Sequence, residues 1–333
     1  MVSKSQLLFW CGVVGVALSL PLWSALPSWT EASKGSWTGG TGGTGGTGGT
    51  FADGHNGTDS SGADGRGGGV ALAEQRSQVK AQNNKILSAL ASSQVIYLAE
   101  THNDLADHVA QLDIIQALDA NGDIAIGLEM FQRPFQSALD DYLSGALSEE
   151  GLITASEYET RWGFDWEFYA PILRYAKENS IPLIALNTPA EITRKVAVTG
   201  LESLEGEDLS YIPPVAEVDL SDTDYREWIS SVFNAHGGAG HSMNFDNFFA
   251  AQVLWDETMA ERVVAQLTAQ PDRQVIVLAG EGHVLNGYGI PDRVERRLPT
   301  VAQSSVQLVP SKAKGAPDAV DFVWVTDAAV EIQ

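Results

Sequence analysis

Carboxylate, imidazole and amide side chains directly follow four short apolar segments of the sequence. The four segments are Val95–Ala99, Ile124–Leu128, Leu183–Leu186 and Val275–Ala279. The polar residues that come after them are, in the same order, Glu100 with His102, Glu129, Asn187, and Glu281 with His283. Carboxylates and imidazoles are side chains that transfer protons in catalysis and hold metal ions. These residues can act together only if the four segments end at the same place in the fold.

The apolar segments alternate with segments of helical periodicity, which is typical of an α/β protein. Each segment is aliphatic on both faces, as expected for strands of a mostly parallel sheet flanked by helices. Since ligands bind at the carboxyl ends of the strands in such sheets, we expect the polar residues to meet at one edge. A charged group buried there is unfavourable unless it is paired or coordinated. The pattern therefore predicts a functional site, with a purely structural polar network as the alternative.

The middle of the chain, residues 131–267, predicts a helical insertion that caps the carboxyl edge of the sheet. Aromatic residues of the segment RWGFDWEFYAP either form the core of this helical layer or line an apolar pocket over the strand ends. His236 and His241 lie in the glycine-rich segment AHGGAGH, which could close over a ligand. The predicted helices cover Phe135–Leu143, Phe168–Lys177, Tyr225–Phe233 and Phe245–Leu267, and Asn103 or Asp104 is expected to cap a further helix after the first strand.

Charge and composition exclude several classes of function. A net charge of −23 argues against nucleic-acid binding, which requires a clustered basic surface, and against electrostatic attachment to anionic lipid. The chain has one cysteine, Cys11, so it can form neither an internal disulfide nor a site with several thiolate ligands. The motifs CxxCH of covalent haem attachment, HExxH of zinc proteases and GxSxG of serine hydrolases are all absent from the sequence.

The N-terminal segment predicts export. Lys4 precedes an apolar stretch over Leu7–Leu22, so we expect residues 1–30 to be a signal peptide or an uncleaved membrane anchor. Cys11 would carry the lipid in a lipoprotein, but Trp10 occupies the position where such a signal requires a small residue. The protein should therefore lie in the periplasm or outside the cell, either free or anchored through this segment, which is its only expected contact with the membrane.

The rest of the chain divides into a linker and one folded domain. Residues 31–69 contain four consecutive TGG triplets and predict a disordered, flexible linker. Residues 70–333 have the composition of an ordinary globular domain that is long enough to bury a substantial core. With an anchor upstream, the linker would let this domain stand off a membrane.

Five segments, in order, resemble the ChaN family of haem-binding, iron-regulated proteins, which belong to the Tiki superfamily together with TraB proteins and erythromycin esterases. They are VIYLAETHNDLADHVAQLDIIQAL, IAIGLEMFQRPFQSALDDYLSG, PLIALNTP, FFAAQVLWDETMAERV and VIVLAGEGHVLNGYGIPDRV. The resemblance implies an α/β core with a helical insertion, in an exported and often lipid-anchored protein. The paired G-x-x-H motifs of the superfamily match Ala99–His102 and Gly280–His283, with Ala99 replacing the first glycine, and the acidic position matches Glu129.

Haem is the ligand that the resemblance implies. Haem held without covalent bonds needs an apolar slot, an axial ligand and cations for its propionates. A homodimer in which two chains share the ligand is compatible with the sequence. The candidate axial ligands are His283, Tyr288, His241 and Tyr169, and the candidate propionate partners are Arg133 and Arg293.

A hydrolase is the alternative function, since the superfamily also contains hydrolases. Glu100, His102, Glu129 and His283 could bind a divalent metal and activate water, or a histidine could act as the general base. A tethered scaffold without an active site is the third interpretation. For both the haem-binding and the hydrolase interpretation, we expect His102, Glu129 and His283 to converge in one pocket.

Overall fold

A computed structural model describes residues 65–235, 244–310 and 315–326 of the protein. Its strands are β1 (Val95–Glu100), β2 (Ile124–Gln132), β3 (Leu183–Asn187), β4 (Gln274–Gly280), β5 (Gln303–Pro310) and β6 (Phe322–Thr326). They form one sheet with the order β3-β2-β4-β1-β5-β6, in which every neighbouring pair is parallel. The prediction of an α/β fold with a parallel sheet is confirmed.

One helix precedes β1, and the other helices lie between strands. They are α1 (Gly65–Leu90), α2 (Leu105–Asp119), α3 (Gln136–Ser144), α4 (Glu149–Ala155), α5 (Tyr158–Arg161), α6 (Trp166–Asn179), α7 (Ala190–Thr199), α8 (Thr223–Ala235), α9 (Phe245–Ala269) and α10 (Ile290–Arg297). The four helices predicted within residues 131–267 are all present, and their ends agree to within two residues. Asp104 caps α2, because its carboxylate accepts a hydrogen bond from the backbone N–H of Ala106 at 2.9 Å.

Both faces of the central strands are buried. Alternate residues of a strand point to opposite faces, and in β1 Ile96 and Leu98 pack with helices α1 to α6 on one face. Val95 and Tyr97 of the same strand pack with α9 and α10 on the other face. Because helices cover both faces, the central strands are apolar throughout rather than alternating between apolar and polar residues.

Within residues 131–267, the predicted strand over Leu183–Leu186 forms β3 and divides the helical insertion into two parts. Helices α3 to α6 connect β2 to β3 and belong to the core on one face of the sheet. Helices α7 to α9 connect β3 to β4, and their core lies partly on the opposite face and partly against one another. Two parallel strands need a crossover connection that returns the chain to the same end of the sheet. The helices therefore form two crossover layers.

Helix α1 begins at Gly65, inside the predicted linker over residues 31–69. Once a helix has formed over the alanine- and glutamine-containing segment that follows, extending it through each glycine costs only about 1 kcal/mol relative to alanine. Residues 1–64, which include the predicted signal or anchor and Cys11, lie outside the described residues. Among the residues that are described, no helix has both the length and the apolar character needed to cross a bilayer.

Candidate functional site

Polar residues from three strands meet because β2, β4 and β1 are neighbours in the sheet. Glu100 ends β1, Glu129 lies near the end of β2, and a short 3-10 turn after β4 carries His283. Nε2 of His283 is 3.4 Å from Oε1 of Glu129, and the backbone N–H of Gly280 donates to Oε2 of the same carboxylate at 2.7 Å. Glu100, His102, Glu129 and His283 are all buried, and we refer to these four residues as the His/Glu cluster.

Glu100 holds His102 in place. Oε1 of Glu100 is 2.8 Å from Nδ1 of His102, and the carboxylate accepts hydrogen bonds of 2.5 Å from the Tyr169 hydroxyl and the Gln111 side-chain amide. Burial alone would raise the pKa of Glu100, but His108, His102 and the hydrogen bond from Tyr169 lower it to about 2. Burial alone would lower the pKa of His102, but the hydrogen bond to Glu100 and a second nearby carboxylate raise it. Their hydrogen bond therefore favours the charged form of each residue.

His283 lies between two carboxylates. Its Nδ1 is 2.6 Å from Oδ1 of Asp256 on α9, and its Nε2 faces Glu129. Burial alone would lower the pKa of His283, but the negative charges of Glu129 and Asp256 raise it to about 10. The other oxygen of Asp256 accepts a hydrogen bond from the Tyr225 hydroxyl at 2.6 Å. His283 is therefore an imidazolium at neutral pH.

Sequence reasoning did not identify Asp256 or Gln111 as members of the site. Gln111 lies three residues after His108 on α2, a spacing that places both on one helix face, and His108 Nδ1 is 3.0 Å from Gln111 Oε1. His108 Nε2 is 3.1 Å from the backbone carbonyl of His102, so His108 helps to hold the backbone of His102 in place. Asp256 interrupts the apolar segment VLWDETMA of α9. A carboxylate at such a position is a sequence feature that could have marked Asp256 as a candidate site residue.

Position 280 requires glycine because His102 lies against it. A β-carbon at this position would come within 2.8 Å of Cε1 and Nε2 of His102, which is closer than such atoms approach in proteins. The backbone angles of Gly280, φ −61° and ψ 149°, are accessible to every residue. The requirement is therefore steric rather than conformational.

Two tryptophans close the His/Glu cluster. Trp162 packs edge-on against the ring of His102, with 4.8 Å between the centroids, and Trp255 packs in the same way against His283 at 5.2 Å. Both indoles line a cavity of about 10 Å³, which is room for about one water molecule. Because the four residues of the cluster are also buried, a ligand as large as a porphyrin cannot reach them without displacing these side chains.

The divalent-metal alternative gains no support. No group of three His, Cys, Asp or Glu side chains in the described part of the chain has the arrangement needed to hold a metal ion. The metal-dependent hydrolase is therefore not favoured.

Of the predicted axial ligands of haem, two are buried and one is half-buried. Tyr169 and His283 are fully buried and bonded to carboxylates of the network. Tyr288 is half-buried, with its ring 5.8 Å from that of Tyr225 and 6.2 Å from that of Trp228. His241 lies outside the described residues, as does His236.

The two arginines predicted to bind propionates both turn inward. Arg133 donates to the backbone carbonyls of Tyr211 at 3.0 Å and Thr258 at 3.2 Å, and it pairs with Glu261. Arg293 is 1% exposed and donates to the backbone carbonyl of Gly289 at 2.9 Å. Both guanidinium groups therefore bind the protein itself.

Asn187 and Glu281, which also follow predicted strands, bind neighbouring segments. The side-chain amide of Asn187 donates to the backbone carbonyl of Glu129 at 2.7 Å, and its oxygen accepts from the indole of Trp255. Glu281 accepts a hydrogen bond of 2.6 Å from Gln307 on β5, and burial raises its pKa. These two residues fix the turns beside the cluster.

A groove of about 300 Å³ opens outside the cluster, at the carboxyl ends of β2 and β3. We refer to it as the carboxyl-edge groove. Gln132 and Arg161 border both this groove and the small cavity beneath the indoles, so the groove and the cluster are neighbours. The lining of the groove includes Phe135, Arg161, Pro189, Ile192, Asp208 and Tyr211.

The chain is similar to solved structures and to a curated plant protein. The structure of ChaN of Campylobacter jejuni, described as binding heme cofacially, superimposes with a TM-score of 0.55 at 19% identity, covering 73% of this chain and 91% of that chain. The erythromycin esterase EreC in its open conformation gives a TM-score of 0.42 at 15% identity, covering 68% of this chain and 72% of that one. Arabidopsis thaliana RETICULATA-RELATED 5, named as chloroplastic, is 26% identical over 264 residues, which are 73% of this chain.

The chain spans 35% of the length of the Arabidopsis relative. The family model described as haem-binding uptake, Tiki superfamily, ChaN, matches residues 86–294, which is more than half of the chain and includes β1 to β4. The five sequence segments that carry the resemblance lie in nearly the same range. This protein therefore belongs to the haem-binding ChaN family of the Tiki superfamily.

Proposed function

We propose that this protein holds haem in the carboxyl-edge groove and serves in haem or iron uptake. The observation that supports this location is the difference in volume between two neighbouring cavities. The cavity next to the His/Glu cluster measures about 10 Å³, whereas the groove measures about 300 Å³, within the range of ligand clefts. Haem, a ligand of the haem-binding family to which the chain belongs, therefore binds outside the cluster.

The residues of the groove fit a porphyrin. Phe135, Pro189 and Ile192 give it apolar walls, as a flat macrocycle requires. Arg161 adds a cation that can pair with a propionate carboxylate. Bound haem would supply an iron centre with open axial positions for a ligand from the chain.

The test is a titration of the full chain with haemin, followed by visible absorbance. We expect a saturable spectral shift with an integral stoichiometry. A His283→Gln variant, shown to be folded by circular dichroism, should bind haemin as the wild type does, because His283 lies inside the closed cluster. Absence of a shift in the folded wild type would overturn haem binding, and its loss only in folded His283→Gln protein would overturn the groove as its location.

We extend the proposal to export and to assembly. The charged and apolar N-terminal segment supports export of the domain, and a fusion of residues 1–69 to alkaline phosphatase, which is active only after export, tests it. An inactive fusion would contradict export.

The name of the Campylobacter structure supports a second proposal, that two chains bring two haems face to face. Sedimentation velocity with and without haemin should then show a dimer when haem is bound, and a monomer at full loading would refute this.

A further inference from the structure

We propose that Asn121 is a site of spontaneous deamidation, in which its side-chain amide reacts with the backbone nitrogen of Gly122. The proposal is independent of haem binding and concerns the turn that joins α2 to β2. It comes from comparing the asparagine–glycine steps of the chain, because asparagine is a thermolabile residue and a following glycine has no β-carbon to hinder the reaction.

The reaction needs no enzyme, metal or cofactor. The backbone nitrogen of Gly122 forms a bond to Cγ of Asn121, the bond from Cγ to Nδ2 breaks, and the side-chain nitrogen leaves as ammonia with the proton of the Gly122 amide. Water then opens the resulting succinimide ring at either of its two carbonyls, which yields aspartate or isoaspartate. The structural requirements are a backbone N–H that is free to lose its proton, space around the glycine and access for water.

Three asparagine–glycine steps occur in the sequence, Asn56–Gly57, Asn121–Gly122 and Asn286–Gly287. The first lies outside the described residues, so the structure compares the second with the third. The asparagine is exposed in both of them. Since the two steps have the same residue types, a difference in their reactivity must come from the fold.

Asn121–Gly122 meets the structural requirements. Within the described ranges, the backbone N–H of Gly122 has no hydrogen-bond partner, and a β-carbon added to Gly122 would meet no other heavy atom within 4 Å. Both residues are exposed and line a cavity of about 240 Å³ at the amino ends of β1, β2 and β4. Water therefore reaches the reacting atoms.

Asn286–Gly287 is held by its neighbours. The backbone N–H of Gly287 donates to the carbonyl of Val284 at 3.1 Å, and the backbone N–H of Asn286 donates to the carbonyl of Ala319 at 2.8 Å. Both residues have left-handed backbone angles, with φ of 60° and 73°. Closure of a succinimide ring here would have to break the hydrogen bond of the Gly287 N–H, so we expect Asn286 to be protected.

The side chain of Asn121 stabilises the end of α2, and the reaction would remove this contact. Its Nδ2 donates to the backbone carbonyl of Ala117 at 2.6 Å, one of the last carbonyls of the helix, which lack partners within it. A carboxylate cannot donate this bond, and its charge would lie at the negative end of the helix dipole. Because the bond must break before ammonia leaves, Asn121 should react more slowly in the folded protein than in the unfolded chain.

The far end of the turn is fixed to the sheet. The backbone carbonyl of Asp123 accepts a hydrogen bond of 3.0 Å from the N–H of Gln274, and both oxygens of its carboxylate are 3.0 Å from Nε of Arg273. Isoaspartate adds one atom to the backbone, which must then be accommodated between the end of α2 and a strand that is already held. Deamidation should therefore destabilise the folded protein.

The test follows both asparagines in one sample of the full-length wild type, incubated in mildly alkaline buffer. Peptide mass spectrometry measures the conversion of each asparagine and distinguishes isoaspartate from aspartate by fragmentation. Asn121 should convert about tenfold faster than Asn286, the order of magnitude that the hydrogen bond of the Gly287 N–H accounts for. In the urea-unfolded chain the two asparagines should convert at similar rates, because no folded contact then distinguishes them.

Gly122→Ala is the matched variant, because its methyl group hinders ring closure but meets no other atom of the folded protein. It should slow the conversion of Asn121 several-fold and leave that of Asn286 unchanged. Asn121→Asp, which cannot donate to Ala117, should lower the urea midpoint of unfolding.

Equal rates at the two asparagines in the folded protein, or faster conversion of Asn286, would overturn the assignment. Conversion of Asn121 in the unfolded chain alone would overturn it as well. A rate at Asn121 that Gly122→Ala does not change would refute the succinimide route, and an unchanged urea midpoint in Asn121→Asp would refute the stabilising role of the amide.

Discussion

Replacement of Gly280 by alanine probes how tightly the His/Glu cluster is packed. The new β-carbon would lie 2.8 Å from two ring atoms of His102. The ring also contacts Trp162 and Phe164, at centroid distances of 4.8 and 5.0 Å, and its Nδ1 is held by Glu100 at 2.8 Å. Since the ring cannot move without disturbing one of these contacts, we expect the substitution to destabilise the fold by about 1–3 kcal/mol, the usual cost of overpacking.

The assay is urea unfolding with linear extrapolation of the free energy of unfolding. Gly122→Ala is the matched control, because a β-carbon at that position meets no heavy atom within 4 Å. It should change the free energy of unfolding by less than about 1 kcal/mol, and in the stabilising direction if at all, since alanine restricts the unfolded chain.

A double-mutant cycle assigns the cost to His102. In a His102→Ala background the space beside position 280 is empty, so Gly280→Ala should cost little there. The coupling free energy between the two substitutions should then account for most of the cost of the single one. The reasoning is refuted if Gly280→Ala is no worse than Gly122→Ala, or if it costs the same whether or not His102 is present.

Two further predictions concern buried charges. His283, with a pKa raised from 6.5 to about 10, binds its proton more tightly in the folded state, so its contribution is full below about pH 6.5 and is lost as the pH rises towards 10. The urea midpoint of the wild type should therefore fall between pH 7 and 10 more steeply than that of His283→Gln, and parallel curves would contradict this. Glu257, buried and 2.6 Å from both Arg296 and Arg297, should cost about 3–5 kcal/mol when changed to glutamine, measured by urea unfolding. The control is Asp246→Asn, because Asp246 pairs with Arg226 and its side chain is 73% exposed. This substitution should lower the free energy of unfolding by at most about 1 kcal/mol. Equal costs for the two substitutions would refute the reasoning.

The elements that the sequence predicted well are those with a local signal. The strand over Val275–Ala279 is apolar at every position because helices cover both of its faces, and the helix over Phe245–Leu267 shows its period over many turns. The meeting of Glu100, Glu129 and His283 followed from a general property of parallel sheets, that the carboxyl ends of the strands lie at one edge. That they are neighbours along this edge depends on the strand order, which places β4 between β2 and β1.

The features that could not be predicted from the sequence depend on contacts between distant segments of the chain. Asp256 lies in the middle of a long helix, and nothing in the local pattern shows that its carboxylate meets the His283 ring, 27 residues away. Arg133 follows β2 closely enough to suggest a ligand contact, but the direction of its side chain is set by Glu261 on another helix.

The residues that carry the family resemblance require care when haem binding is tested by mutation. His102 and His283 match the superfamily motif, yet each is buried and paired with carboxylates. Removing one imidazolium leaves an uncompensated buried carboxylate, which destabilises a fold by several kcal/mol. A variant at either position can therefore lose haemin binding through unfolding, with no iron–imidazole bond ever present. Haemin affinity must be referred to the folded fraction of each variant, and only a loss that survives this correction identifies a ligand.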